Sequence, residues 1–437
     1  MILLSHPTSN GNASATARGL YRHGLLTAYY TCISWNPDSA LAKKLPRSIT
    51  RWLDRRKQID IPSKLIHTRP LRELIRNLYD RTGLHGTGVE EGAPFSTEQV
   101  YYDLDRHIAR QLYKFPLLKG VYAYDDGALA QFEQAKKMGL TRIYDLPIGH
   151  WRELVEVTKI ESDAQPEWRT TMKALRDTKA KNQRKDHEIA LADVVVVASS
   201  YTKKTLGLFP QRKQVVVVPY GMPPVTTAPR SLTSGDSPLR VLFVGQLTQR
   251  KGISYLFDAI NILGKSATLT LIGTKGGQAK VLDDACQKHR WIETLPHAEV
   301  LQEMKAHDVL VFPSLFEGFG LVIGEAMSQG MPVITTANTG GPDIMTDGLE
   351  GFIVPIRSAE EIASKLLLLH QDRDLLKHMS DAARDRAMEL SWMLYEDRLA
   401  ESVSAALDAS SAQHVNTAGD GTALGQELTH GGVEVRR

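Results

Sequence analysis

The chain has 437 residues, 42% of them hydrophobic and 24% charged, with a formal net charge of +3. That composition is globular, the length exceeds one ordinary core and suggests about two or three domains, and the charge is too small to imply nucleic acid as a partner. Cys32 and Cys286 show no metal-ligand or redox spacing and Met1-Ile2-Leu3-Leu4 runs straight into Ser5-His6. The expectation is therefore a cytosolic chain, soluble or peripheral, with reduced cysteines, no metal cluster, no signal peptide and no membrane span.

Ile2-Leu3-Leu4 reads as a first strand, Ser5 to Asn12 as a polar loop and Ala13 to His23 as a helix stopped by Gly24. A strand, a glycine-bearing loop and a helix open a doubly wound domain, with ligands at the strand's carboxyl end. By itself the Gly11-Asn12 pair is a turn signal. Leu41 to Arg76 then holds eleven Lys or Arg against Asp54, Asp60 and Glu73, and Leu41, Leu45, Ile49, Trp52 and Leu53 fall at helical spacing. This predicts a basic amphipathic helix or pair of helices that could lie on an anionic membrane; the alternative is a solvated face.

Gly120–Tyr124, Thr141–Asp145 and Ala192–Ala198 read as further strands, alternating with helices over 127–138, 151–160 and 174–190. Such alternation indicates a parallel sheet covered on both faces. His150 follows a strand end and a Pro-Gly loop, where binding residues collect, although a structural histidine fits equally well. Met222 to Ser237, rich in Pro, Ser, Thr and Gly, reads as a linker.

A second alternation starts with the strand Leu239–Gly245, followed by a helix over 252–263, a strand over 267–272 and a helix over 298–306. Gly245 to Gly252 carries Arg250 and Lys251 at a strand's carboxyl end, where they would meet a diphosphate; an isolated Arg-Lys pair is otherwise two solvated side chains. Val309 to Thr336 reads as strand, loop, helix and strand, with Gly330 and Pro332 as the helix stop. Gly318 and Gly320 let the backbone approach a ligand at the helix start and leave first-turn amides pointing outward, which makes an anion site. Residues 358–390 read as helical, 391–408 as a terminal helix and 409–437 as a disordered tail. Asp103-Leu104-Asp105 and Asp372-Arg373-Asp374 match the D-x-D of a metal-dependent transferase, but both read better as solvated helix acids.

Two carboxylates interrupt the apolar 309–336 stretch. Glu325 lies among Leu321, Val322, Ile323, Ala326 and Met327 and needs a partner, for which sugar or ribose hydroxyls would be suitable. A surface helix with two acids in its N-terminal half is the plain alternative. A dinucleotide fingerprint over Gly318, Gly320 and Gly324 ranks lower, because Leu315-Phe316-Glu317 stands where a tight turn should be and the next strand ends without a ribose-binding acid.

Glu317 and Glu325, seven residues apart with Gly318-Phe319-Gly320-Leu321 between them, resemble the E-x7-E signature of retaining family 4 glycosyltransferases. The match runs on through Asn338-Thr339-Gly340-Gly341-Pro342-Asp343 and Gly348-x-x-Gly351-Phe352-x-Val354-Pro355. The resemblance implies an α/β fold of two Rossmann-like doubly wound domains facing across a cleft, the GT-B architecture. Residues 1–222, with the helix 391–408 packing back, would form the acceptor side, and 238–390 the nucleotide-sugar domain. The implied reaction is retaining transfer of a sugar from a nucleotide diphosphate sugar to an acceptor hydroxyl, in surface polysaccharide or glycolipid synthesis, without metal or other cofactor. Glu317 would hold donor sugar hydroxyls and Glu325 the ribose. Gly245, Arg250, Lys251 and the backbone of Gly318, Phe319, Gly320 and Leu321 would hold the diphosphate, with Gln246 standing where the family usually shows arginine. The loop with Gly11 and Asn12 resembles the segment between acceptor and donor, and His150 is similar to the family's histidine beside the donor sugar. The basic 41–76 segment predicts a membrane-embedded or anionic acceptor such as a lipid-linked glycan, at the inner face of the membrane. A phosphorylase of the same fold is the nearer alternative. A catalytically silent membrane-docking subunit would be expected to have lost a glutamate or the cations, which are retained.

Overall fold

The computed structural model describes residues 1–38, 45–46, 49–50, 53–57, 59–82, 93–172, 177–211, 213–227, 230–233 and 235–423. Short apolar runs form two all-parallel sheets. The first contains β1 (Ile2–Ser5), β2 (Leu26–Thr31), β3 (Ile66–Thr68), β4 (Gly120–Tyr124), β5 (Thr141–Leu146), β6 (Val194–Val197) and β7 (Gln214–Val217), in the order β3-β2-β1-β4-β5-β6-β7. The second contains β8 (Leu239–Val244), β9 (Ala267–Ile272), β10 (Arg290–Ile292), β11 (Val309–Phe312), β12 (Val333–Thr336) and β13 (Gly351–Val354), in the order β10-β9-β8-β11-β12-β13. In both, the order reverses beside the first strand of the sheet, and ligands of doubly wound sheets bind at that switch point beyond the carboxyl ends.

Seven helices position the site: α1 (Gly11–Arg22), α2 (Leu71–Thr82), α3 (Trp151–Ala164), α4 (Ile253–Leu263), α5 (His297–Ala306), α6 (Leu321–Ser328) and α7 (Trp392–Ala423). Strand alternation sorts the first core. Ile2, Leu4, Tyr122, Ile143 and Val194 face one apolar cluster, while Leu3, Val121, Tyr144 and Val195 face another. The first of these clusters continues without a break through α7 into the core of the second sheet. On α7, Glu396 meets Arg18 and Arg22 of α1 at 2.8 and 2.9 Å, and the Tyr395 hydroxyl lies 3.1 Å from Thr16.

Several expectations need correction. α1 begins at Gly11, not Ala13, because Asn10 caps it by accepting the Ala13 N–H at 2.9 Å. The 41–76 segment is helical only in part where it is described, at residues 49–50 and 53 and from Leu71 onward in α2. It holds short turns at Asp54–Arg56 and Ser63–Leu65, then β3, where Ile66 and Thr68 pair with β2 between Pro62 and Pro70. Trp52, Lys43, Lys44, Arg47 and Arg51 lie outside the described residues. The acids of Asp103-Leu104-Asp105 are not solvated. Asp103 pairs with Arg69, and Asp105, 1% exposed, accepts the Ala130 and Gln131 N–H groups and pairs with Arg184. The linker is bonded to the second domain, with half-buried Arg230 donating to the carbonyls of Met304, His307 and Gln329. α7 runs to Ala423, so 409–423 is helical, not disordered; 424–437 lie outside the described residues.

Candidate active site

The loops after β8 and β11 build the site. The turn Gln249–Lys251 ends on Gly252 at φ 69, and a Cβ there would come within 2.1 Å of the Pro313 carbonyl. Only glycine combines that left-handed backbone with so close an approach. The turn is thereby pressed against the β11 loop. Leu315 donates its N–H to the Arg250 carbonyl at 2.9 Å, and Arg250 Nη1 donates to the Phe316 carbonyl at 2.8 Å. The Lys251 ammonium pairs directly with the Glu317 carboxylate and sits 4.6 Å from the Phe312 ring centre, while Arg250 Nη1 stands 3.6 Å from the same carboxylate. Burial pushes the Glu317 carboxyl up, but Lys251 and Arg250 outweigh it and hold the group below the usual glutamate range. Burial draws the Lys251 ammonium down, against the pull of Glu317. The result is a nearly enclosed cluster of two cations and one carboxylate.

α6 starts behind this cluster. Gly320, at φ 85, precedes its first residue Leu321, and no side chain caps it. Gly318 and Phe319 thus belong to the loop before the helix. A Cβ on Gly318 would lie 1.8 Å from the Pro147 carbonyl of the first domain. The Gly318 carbonyl accepts the hydroxyls of Ser199 and Thr202, the latter at 3.0 Å, and Asp343 accepts the Ser200 N–H at 2.9 Å. The second domain's glycine loop is therefore docked on the carboxyl ends of β5 and β6.

The other expected residues are distributed differently. Glu325, on α6, accepts from His297 Nε2 of α5 at 3.0 Å rather than joining the cation cluster. Gly245 follows β8 at φ 150. Gln246 is exposed and lines a cavity of about 230 Å³ with Thr158, Thr171, Asp177, Thr248 and Arg250, where the two domains meet. Gly11 and Asn12 occupy the first turn of α1, and a Cβ on Gly11 would meet open space. His150 is 1% exposed and caps α3: Nδ1 accepts the Arg152 N–H at 3.3 Å and Nε2 lies 3.3 Å from Asp186 Oδ1. Burial pulls its pKa from 6.5 to about 4, so the ring is neutral at pH 7. Both ring nitrogens are engaged inside the first domain; its neighbour Gly149 packs on the Phe316 ring. Ser199, Thr202 and His297 escaped sequence reasoning. Ser199 had a local signal, since a serine between a strand and a helix is a natural N-cap.

Comparison with known proteins relates part of this chain to a known family. Residues 225–386 match the glycosyl transferases group 1. That stretch, in the second domain, is similar to a group 1 glycosyltransferase domain. Over 171 residues it is 30% identical to an uncharacterized glycosyltransferase, MJ1607, of Methanocaldococcus jannaschii, covering 37% of this chain and 44% of the relative. Over 202 residues it is 26% identical to the putative colanic acid biosynthesis glycosyltransferase WcaL of Salmonella typhimurium, covering 43% and 49%. The match therefore spans less than half of each of these curated relatives. The whole fold is similar to Anabaena HepE, solved in complex with UDP-glucose, with a TM-score of 0.58, 15% identity and coverage of 92% of this chain and 99% of that one. Two facing parallel-sheet α/β domains of this kind are the GT-B architecture.

Proposed function

We propose that this chain is a retaining glycosyltransferase that moves a sugar from a nucleotide diphosphate sugar to an acceptor hydroxyl in the assembly of a surface polysaccharide or glycolipid. The observation that carries this reading is the Arg250–Lys251–Glu317 cluster in front of the uncapped α6 N-terminus, at the carboxyl ends of β8 and β11. A departing diphosphate needs positive charge that is already in place. Arg250, Lys251 and the first-turn amides of α6 supply it, and a low-dielectric cleft strengthens each contact. With the phosphate seated on Lys251 and Arg250, Glu317 is freed to accept donor sugar hydroxyls, and Glu325 to hold the ribose. The bond from the anomeric carbon to phosphate oxygen breaks, the acceptor oxygen attacks from the same face, and its proton passes to the departing phosphate oxygen. No side-chain base is then required. The colanic acid name of one relative supports the polysaccharide class, and the UDP-glucose in the similar fold supports a nucleotide-sugar donor.

A thermal-shift screen of UDP-, GDP-, ADP- and dTDP-sugars tests the donor, since saturation at about a hundred times Kd adds about 2.7 kcal/mol of stability. No stabilisation by any of them overturns the reading. An inverted anomer in the product, seen by proton NMR, removes retention from it.

For the acceptor, the proposal is a lipid-linked glycan reached at an anionic membrane surface. Among the described cations of the basic segment, Arg56 and Arg76 are paired with Glu73, and Arg69 and Arg72 with Asp103, so part of the charge is spent internally. What supports a membrane contact is α2, where Leu71, Leu74 and Leu78 are 67%, 44% and 61% exposed on one face. Among the described residues, no helix is long and apolar enough to cross a membrane. Sedimentation with anionic vesicles is expected to fall as salt rises and to weaken in Leu74→Ser; equal binding to neutral vesicles, or none to either, would favour a soluble acceptor.

A further inference from the structure

Away from the cation cluster, Glu161 of α3 is fully buried, and among the described residues the donors to its carboxylate come from the other domain. They are Gln249 Nε2 at 2.8 Å, the Tyr255 hydroxyl at 3.1 Å and Arg357 Nε at 2.5 Å. A carboxylate stripped of water is costly unless hydrogen-bonded and paired, so this arrangement belongs to the closed molecule alone. A second observation points the same way. Arg357 sits at φ 63, a left-handed backbone that a residue with a Cβ rarely adopts and that persists only where surrounding contacts impose it. The third concerns Gln249 itself, which is fully buried. Its N–H donates to Thr171 Oγ1 of the first domain at 3.0 Å, and its side-chain amide reaches both Glu161 and Ser254. Gln249 opens the turn whose next two residues are Arg250 and Lys251.

We propose that Glu161 is a positioning residue that latches the first domain onto this turn, so that Arg250 and Lys251 take their anion-facing arrangement only when the domains are closed. When the domains part, Gln249 loses Glu161 and Thr171 together, and the turn loses its outer restraint. Closure and anion binding are then linked: a diphosphate held by the turn favours the closed state, and closure tightens the diphosphate by the same factor. The ligand in this linkage rests on the proposed nucleotide site; the latch itself does not.

Glu161→Gln keeps the shape and removes the charge. Arg357→Ala, on a partly exposed side chain, is the second variant should the buried substitution prevent folding. Small-angle scattering of the ligand-free protein and calorimetric titration with UDP, GDP and ADP are measured on variants with a cooperative melt. The expected result is a larger radius of gyration, recovery of the wild-type profile at saturating nucleotide, and a Kd about tenfold weaker, the effect of one lost charge-assisted hydrogen bond. Donor KM should rise more than kcat falls, a split that a merely structural contact would not give. Scattering profiles and Kd values matching wild type in both variants overturn the latch. If no nucleotide binds the wild type, or Lys251→Ala leaves Kd unchanged, the nucleotide reading falls instead, and the scattering alone then decides the latch.

Discussion

Glu317 and Lys251 owe their roles to each other. Neither would be tolerated so deep in the cleft alone, and the pair leaves a carboxylate able to exchange an ammonium for sugar hydroxyls once phosphate arrives. Glu317→Gln should still fold but melt at a lower temperature at neutral pH, because Lys251 loses its charged partner, while kcat/KM falls about tenfold to a hundredfold, the range of a lost ionic hydrogen bond; a wild-type rate removes Glu317 from the site. Because its folded pKa is depressed, Glu317 contributes stability at neutral pH that is lost as pH falls below the ordinary glutamate range. His150 acts in a different window. Its folded pKa of about 4 lies below the unfolded 6.5, so its contribution is present above pH 6.5 and is lost as pH falls toward 4. Through that window it should cost roughly 3 kcal/mol, read as a falling denaturation midpoint that His150→Gln flattens. A slope unchanged in the variant would assign the acid sensitivity elsewhere, for example to buried His6.

At the scale of elements, two glycines make opposite predictions. Gly318 lies where a Cβ would strike the Pro147 carbonyl, which is backbone and cannot yield cheaply. Gly318→Ala should therefore destabilise by about 1–3 kcal/mol and lower turnover, as overpacking does. Gly11 has open space and opens α1, so Gly11→Ala should be neutral or stabilise by about 0.5 kcal/mol in urea titration. Lost turnover in a stable Gly11→Ala would be the mark of an acceptor that approaches that backbone. The start of α6 was legible because Gly318, Gly320 and Pro332 bracket it locally. β3 was not, because three residues hold strand form only by pairing with β2, and a run of arginines around them looked helical. β10, equally short, also escaped, since its partner β9 lies across an intervening helix.

For the whole molecule, the question is where the charge that stabilises a leaving diphosphate comes from. On the proposed reading Arg250, Lys251 and α6 would provide it from one domain, so turnover is expected to persist in excess chelator. Complete loss that manganese restores would move the chemistry to a metal-dependent mechanism. Domain closure enters the same account. The proposed anion cluster is made by loops of the second sheet, yet the first domain holds these loops at Gly318, through Ser199 and Thr202, and at Gln249, through Glu161 and Thr171.

The sequence by itself determined the alternation of strands and helices, the two doubly wound halves and the loop residues Arg250, Lys251 and Glu317. Each of these is written in local periodicity, a glycine or a proline stop, or a motif of fixed short spacing. Only the tertiary structure decided that Glu317 is ion-paired, that His150 is a buried helix cap and that Glu325 meets His297. It alone brought Glu161 to Gln249 and Arg357, 88 and 196 residues away in the chain. A buried carboxylate leaves no local signature, because what makes it tolerable is the set of donors that folding brings around it.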